Sequence, residues 1–390
     1  MIFFYFLVWR SFDFLIIFFS QKIIPYLGFF PYSDQLPRFN LPTWISALAN
    51  FDGLHYISIA RDGYAQYEQA FFPFYPLLIK FLSPLFSNNQ LLTGLIISNV
   101  SFFLGLIVFY KYLRLILSDS IRFNPILSII FLIAFPTSFF FGAVYTEGLF
   151  FLLLVSTLYF LKKEKYLFVV IFAFLASLTR LVGVFLIIPI AFHFIGLSFP
   201  RRRESKRSWI PASAGMTLMA TLLGLVSYCL YLWQTTGDPF FFFSAQPAFG
   251  ASRSTHLITF FQVYWRYFKI FFTAAHDFKY FVAIIEFSFF SFVLFILVLD
   301  LFKNFGIKNL KFEIKNFDLL GLNLFSLVNL IFPTLTGTFL SIPRFSLMSL
   351  SFFIYLTQIK NVFIKYIIVG IFLILHILLL GYFSQGYFVS

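Results

Sequence analysis

Charge is what this chain lacks. Only 11% of its 390 residues are Asp, Glu, Lys or Arg, against about 25% in a soluble globular protein. With 61% hydrophobic residues beside so few charges, a disordered chain and a fold with a polar surface are both excluded. Cysteine is nearly absent too. Cys229 stands alone, so no internal disulfide can form, and no Cys/His spacing suggests zinc. Acidic residues are scarce beside basic ones, 15 against 28, for a net charge of +13. That excess would point to nucleic acid in a soluble protein. In a membrane chain it reflects the gathering of Lys and Arg on the cytoplasmic side, and no nucleic-acid partner is expected. The strict alternation of apolar and polar residues that marks a transmembrane β-barrel is also missing. What is present is apolar sequence in runs of roughly 20 residues, the length an α-helix needs to cross a bilayer, with Phe alone at 66 positions. The expected fold class is all-α: a polytopic integral membrane protein.

Eleven helices are expected, at about 5–30, 91–110, 125–142, 147–161, 167–180, 182–198, 217–234, 279–302, 318–335, 345–358 and 366–384. The N-terminus is apolar from Ile2, without a basic leader, and reads as the first span. Alternate loops carry the larger share of the Lys and Arg, among them Lys111, Arg114, Arg122, Lys162, Lys163, Lys165, the run Arg201–Arg207, Lys303 to Lys315, Lys360 and Lys365. This bias puts those loops and the N-terminus in the cytoplasm and the C-terminus outside. The whole chain, 1–390, then forms a single multi-pass domain. Its two long outside loops, 31–90 and 235–278, are where a catalytic surface could be built. Segment 199–217 differs in composition from its surroundings and resembles peptides encoded by mobile palindromic elements inserted in bacterial genes. It reads as an inert cytoplasmic insertion, and it suggests a bacterial inner membrane with the outside loops on the periplasmic side.

In the first outside loop, apolar residues at Leu48, Phe51, Leu54, Tyr56, Ile59 and Ala60 give a helical stripe suited to the membrane interface. Asp52 falls within it. A carboxylate against apolar surface is costly unless something uses it, although a helix cap or a partner for Arg61 would be a plainer role. Pro73 and Pro76 are expected to stop regular structure. Asp62 and Glu68 read as solvated loop acids or structural pairs.

The run Phe51-Asp52-Gly53-Leu54-His55-Tyr56, with Ile59-Ala60 and Gly63-Tyr64 after it and then Ala70-Phe71-Phe72-Pro73-Phe74-Tyr75-Pro76, resembles the first-loop motif of the GPI mannosyltransferase 2 (phosphatidylinositol glycan class V) family. Further matches follow in order: Phe135-Pro136-Thr137-Ser138 with Tyr145-Thr146-Glu147, Leu178-Thr179-Arg180 with Gly183, Gly237-Asp238-Pro239-Phe240 with Gln246, and Ser341-Ile342-Pro343-Arg344-Phe345. Phe51 replaces the family's commoner Trp, and Pro247 stands where an aromatic is usual. The resemblance implies a C-type glycosyltransferase with interfacial helices in its first outside loop. Such an enzyme would move a sugar from a polyprenyl-phosphate-linked donor to a glycan or glycolipid acceptor on the non-cytoplasmic face, with Asp52 as the catalytic acid residue.

The chemistry such a transfer needs is modest. One carboxylate can take the acceptor's proton, which suits Asp52 as general base. A single displacement inverts the anomeric centre. The departing phosphate needs positive charge, for which Arg180 and Arg344 are the candidates; headgroup snorkelling is their plainer role. His55, Tyr56, Glu147 and Gln246 are candidate substrate contacts. No cofactor is implied; a divalent metal held by Asp52, His55 and Glu147 is the alternative that spacing allows. The competing class is a multi-pass transporter or flippase of lipid-linked sugars, for which Asp13, Glu286 and Asp300 would be the acids to examine. The enzyme reading requires Asp52, Arg180 and Arg344 to meet within roughly 15 Å, since reacting groups must come into contact.

Overall fold

In a hydrocarbon environment the backbone must satisfy its own hydrogen bonds, so long apolar runs close into helices. The computed structural model of the chain describes residues 1–117, 124–198, 213–249, 254, 256–308, 311–314 and 316–389. In chain order the helices are α1 (Ile2–Ile23), α2 (Thr43–Ser46), α3 (Asp52–Asp62), α4 (Phe74–Leu82), α5 (Gln90–Ile116), α6 (Pro125–Ala134), α7 (Glu147–Lys162), α8 (Tyr166–Thr179) and α9 (Ile187–Ser198). They continue as α10 (Ser213–Thr236), α11 (Phe241–Ser244), α12 (Phe260–Thr273), α13 (Phe278–Asn304), α14 (Phe317–Ile331), α15 (Ile342–Phe345), α16 (Leu350–Thr357) and α17 (Val362–Ser384). Seven helical segments among the described residues are long and apolar enough to cross a membrane. They begin at Ile2, Gln90, Leu181, Gly215, Phe278, Phe317 and Val362. The shorter apolar helices α6 and α8 lie between them.

Asparagine marks the start of four helices. The side chains of Asn89, Asn124, Asn316 and Asn361 accept hydrogen bonds from backbone N–H groups in the first turns of α5, α6, α14 and α17, which satisfies donors that have no partner inside the helix.

Several boundaries depart from the sequence reading for physical reasons. The helix expected over 125–142 stops at Ala134, because Pro136 disfavours helical backbone at Phe135; residues 135–146 run irregularly instead, apart from a short 3-10 turn at Ser138–Gly142. The helix expected to reach residue 30 ends at Ile23, two residues before Pro25. Pro76, expected to break structure, lies in the first turn of α4, where its missing N–H costs nothing. The helix expected from 345 begins at Leu350. The connection after α13 holds a small antiparallel hairpin, β1 (Phe305–Lys308) with β2 (Lys311–Ile314), pairing Phe305 with Ile314. Of the expected insertion, residues 199–212 lie outside the described residues.

Small residues allow a close contact between α5 and α7. A Cβ at Gly148 would stand 2.5 Å from the carbonyl oxygens of Phe141 and Ser98, and one at Gly105 would stand 2.6 Å from the Phe151 ring. Close backbone approach is a general means of packing helices in lipid, where hydrophobic driving force between them is weak.

A buried polar cluster joins α1 and α17 to the irregular segment. Arg10 Nη1 donates to Asp13 Oδ2 at 3.3 Å, and Arg10 Nη2 donates to the Gly142 carbonyl at 2.9 Å. His376 Nε2 lies 2.8 Å from Asp13 Oδ1, and its Nδ1 lies 3.2 Å from Ser138 Oγ. Farther along, α12 packs antiparallel to α13: Tyr264 shares a hydrogen bond with Ser291, and Tyr267 donates to Glu286 Oε2 at 2.6 Å. The Tyr267 hydroxyl also accepts from the Phe339 N–H, and this fixes the segment leading to α15.

Candidate active site

Residues 44–56 form one side of the site. Tyr145 donates its hydroxyl hydrogen to the Asn50 carbonyl at 2.7 Å, while Asn50 Nδ2 donates to the Phe383 carbonyl. Val144 N donates to the Leu48 carbonyl at 2.9 Å. A Cβ at Gly53 would lie 3.2 Å from the Val144 carbonyl oxygen. Between Asn50 and Gly53, Phe51 is held at φ 59°, ψ −116°, a conformation that L-residues rarely adopt. Its ring is packed against Phe30, Phe388 and Phe383 at centroid distances of 4.7, 5.3 and 5.8 Å. Packing therefore stabilises a strained backbone immediately before Asp52, the first residue of α3. Strain of this kind persists only where surrounding structure over-determines it, and it gathers at functional sites.

Three other elements complete the constellation. The irregular segment 135–146 delivers Glu147 at the start of α7, and Thr137 ties that segment to the Pro343 carbonyl beside Arg344 at 2.8 Å. Arg180 follows α8 in extended backbone. Arg344 sits in α15, entered through Ser341 at φ 65°.

The charged groups form a continuous chain. Arg344 Nη1 donates to Asp52 Oδ2 at 2.7 Å, and Arg344 Nε lies 3.5 Å from Glu147 Oε1. Arg180 Nη1 donates to that same Glu147 oxygen. Glu147 is only 1% exposed, and its second oxygen has no hydrogen-bond partner among the described residues. Aromatic rings back both guanidinium groups: Arg344 lies over Tyr145 at 5.3 Å and Phe140 at 5.4 Å, and Arg180 lies over Phe345 at 5.0 Å. Burial disfavours the Arg344 cation, but Asp52 and Glu147 outweigh it and hold the proton more tightly than usual. Burial, with the same two carboxylates, pushes the Tyr56 phenol well above its ordinary range, so Tyr56 stays neutral. Its hydroxyl is suited to hydrogen bonding and not to proton abstraction.

The chain opens on a cavity of about 700 Å³ lined by Asp52, His55, Tyr56, Glu147, Arg180, Gln246 and Arg344. Every candidate site residue of the sequence reading is on its wall. The cavity has two kinds of wall. One wall carries Leu181, Val182, Phe332 and Leu335, all within membrane-crossing segments. The other carries Tyr32, Gln66, Tyr67 and Phe388, which belong to none of them.

His55 pairs with Glu68. Its Nδ1 is 3.0 Å from Glu68 Oε1, and Glu68 Oε2 accepts from the Ala65 N–H at 3.0 Å. Glu68 is thus the structural-pair case, buried at 3% exposure, and it lines the cavity; nothing in a polar loop sequence distinguishes it from a solvated acid. Asp62 remains exposed and pairs with Arg61, which leaves Arg61 no role as a partner of Asp52. Ser341 and the backbone of Phe51 are further site features that the sequence did not mark, since neither strain nor burial has a local signature. Among the described residues, no three His, Cys, Asp or Glu side chains stand together as a metal would require. Asp13, Glu286 and Asp300 do not line the cavity. They are bonded to His376, Tyr267 and Ser351 respectively.

Compared with known proteins, residues 3–236 match the sequence model of a family described as Mannosyltransferase (PIG-V). No curated protein matches the chain, and neither does any solved structure.

Proposed function

Because the chain belongs to the Mannosyltransferase (PIG-V) family and is a membrane mannosyltransferase rather than a transporter, we propose that it takes its sugar from a polyprenyl-phosphate donor and passes it to a glycan or glycolipid hydroxyl with inversion. Asp52 is the general base. It takes the proton of the acceptor hydroxyl as that oxygen attacks the anomeric carbon, while the bond from that carbon to the phosphate oxygen breaks. The electron pair leaves with the lipid phosphate, and Arg180 and Arg344 stabilise the charge that develops there. Arg344 has a second function. In the empty site it is bound to Asp52, which makes the carboxylate a poorer base; an arriving phosphate competes for that guanidinium and loosens the pair.

The observation that carries this reading is the continuous chain Asp52–Arg344–Glu147–Arg180 in one cavity that has a span-lined wall and a loop-lined mouth. A lipid-linked donor suits the first and a water-borne acceptor head the second. The cavity is assigned to the non-cytoplasmic face, periplasmic in a bacterial host. The basic turns after α7 and α16 support this, because Lys162 lies at the opposite end of α7 from Glu147.

The test is transfer in proteoliposomes. Radiolabelled polyprenyl-phosphate mannose of β configuration, supplied with a mannoside acceptor, should give a product cleaved by an α-mannosidase. A product cleaved only by a β-mannosidase would contradict inversion, and absence of any transfer from lipid-linked sugar would remove the donor assignment.

A further inference from the structure

Tyr32 and Tyr67 sit at the loop-lined mouth of the cavity and remain 45% and 41% exposed. Both are held in left-handed backbone, at φ 66° and 68°, a conformation that is unfavourable for a non-glycine residue. Glycine would be preferred at both positions if only the turn mattered. Each ring is also braced: Tyr67 stacks on Phe241 with centroids 6.2 Å apart and planes at 17°, and Tyr32 stands edge-on to His55 at 5.0 Å. His55 is oriented by buried Glu68 through Nδ1, which leaves Nε2 as the ring atom able to meet a ligand hydroxyl.

Charge separates this mouth from the rest of the site. The only cations on the described cavity wall are Arg180 and Arg344, and both belong to the ion chain. The mouth offers aromatic faces and the His55–Glu68 pair, an arrangement that suits the C–H faces and hydroxyls of a pyranose ring and supplies no guanidinium or ammonium for a phosphate.

We propose that Tyr32, Tyr67 and His55 form the acceptor subsite and bind a terminal pyranose of the acceptor, with Glu68 as the positioning residue for His55. The assignment rests on the transferase reading above, because it identifies which of the two substrates enters by the loop-lined mouth. The tyrosines supply stacking surfaces on the sugar's C–H face, and His55 Nε2 hydrogen-bonds a ring hydroxyl. Among the described residues this mouth carries neither a cation nor a spanning segment, and so it suits the acceptor better than the lipid-phosphate donor.

The test uses the full chain in phosphatidylcholine nanodiscs with methyl α-mannopyranoside as probe, followed by saturation-transfer NMR. Tyr32→Gly and Tyr67→Gly remove the rings while relaxing the backbone, so the folded protein should keep its Tm. Each should weaken probe binding roughly tenfold, whereas Tyr32→Phe and Tyr67→Phe should stay within about threefold of the parent. In the transfer reaction the glycine variants should raise the acceptor KM and leave the donor KM unchanged. Probe binding unaltered in the glycine variants, or a rise confined to the donor KM, would overturn the subsite. Probe binding needs no chemistry, so an Asp52→Asn enzyme that still transferred sugar would remove the base assignment without touching this result.

Discussion

Arg344 and Asp52, 292 positions apart in the chain, meet at 2.7 Å inside the cavity. In the proposed mechanism the base and the phosphate-binding cation are thereby paired with each other before substrate arrives, and Glu147 lies 3.5 Å from Arg344 Nε. The pairing compensates the buried Arg344 cation with the partly buried Asp52 carboxylate. In the proposed mechanism it also links donor binding to the release of the base.

Arg344→Lys tests that link. An ammonium is a point charge on a flexible stem and cannot span two carboxylates as a guanidinium does. The donor KM is expected to rise about tenfold or more while the acceptor KM changes little. Steady-state kinetics with each substrate varied in turn check this; equal donor affinity in the two enzymes would detach Arg344 from phosphate.

Arg180 and Glu147 make a second, more deeply buried pair. Arg180→Ala leaves a carboxylate 1% exposed with only Arg344 near it, and a loss of about 3–5 kcal/mol of stability is expected from breaking a buried pair on one side. Adding Glu147→Gln should return much of that stability and no activity. Thermal unfolding of the single and double variants, measured beside transfer rates, reads both parts. A double variant no more stable than Arg180→Ala would contradict the pairing energetics.

Gly148→Val should prevent normal folding. Its Cβ would be forced to 2.5 Å from two carbonyl oxygens where α5 and α7 meet, and neither backbone can retreat without moving Glu147, the preceding residue. Even Gly148→Ala is expected to cost about 1–3 kcal/mol. Yield of monodisperse protein after solubilisation and its Tm are the readouts; a variant with parental Tm would show that the helices can part.

Asp13 bridges Arg10 and His376 within the polar cluster that holds the Gly142 carbonyl. Asp13→Ala leaves Arg10 buried without its counter-charge, and about 3–5 kcal/mol should be lost. Activity should fall with stability and recover at low temperature, since Asp13 does not line the cavity. Loss of activity with unchanged Tm would place Asp13 in the chemistry.

Much of this site was legible because a chain so poor in charge makes each ionisable group conspicuous. Asp52, Glu147, Arg180 and Arg344 stood out against apolar runs, and all four line one cavity. Helix positions followed from the length of the apolar runs. What escaped was tertiary. The break at 135–146 depends on Pro136 and on contacts from α1, α17 and residue 343, although a hydropathy profile runs through it unchanged. The burial of Glu68 is created by His55 and the fold of its loop. The strained backbone at Phe51 is sustained by Phe30, Phe383 and Phe388, residues that no local pattern brings together.

The base assignment itself is measured most directly with Asp52→Asn. The substitution keeps the side chain's size, and the remaining amide oxygen can still accept from Arg344. Purified variant and parent are reconstituted in proteoliposomes with saturating polyprenyl-phosphate mannose and acceptor, and kcat is compared at matched folded protein. A fall of about 10²- to 10⁴-fold is expected, the contribution of a positioned general base, with Tm and donor binding preserved. Turnover within a few-fold of the parent would show that another group takes the acceptor's proton.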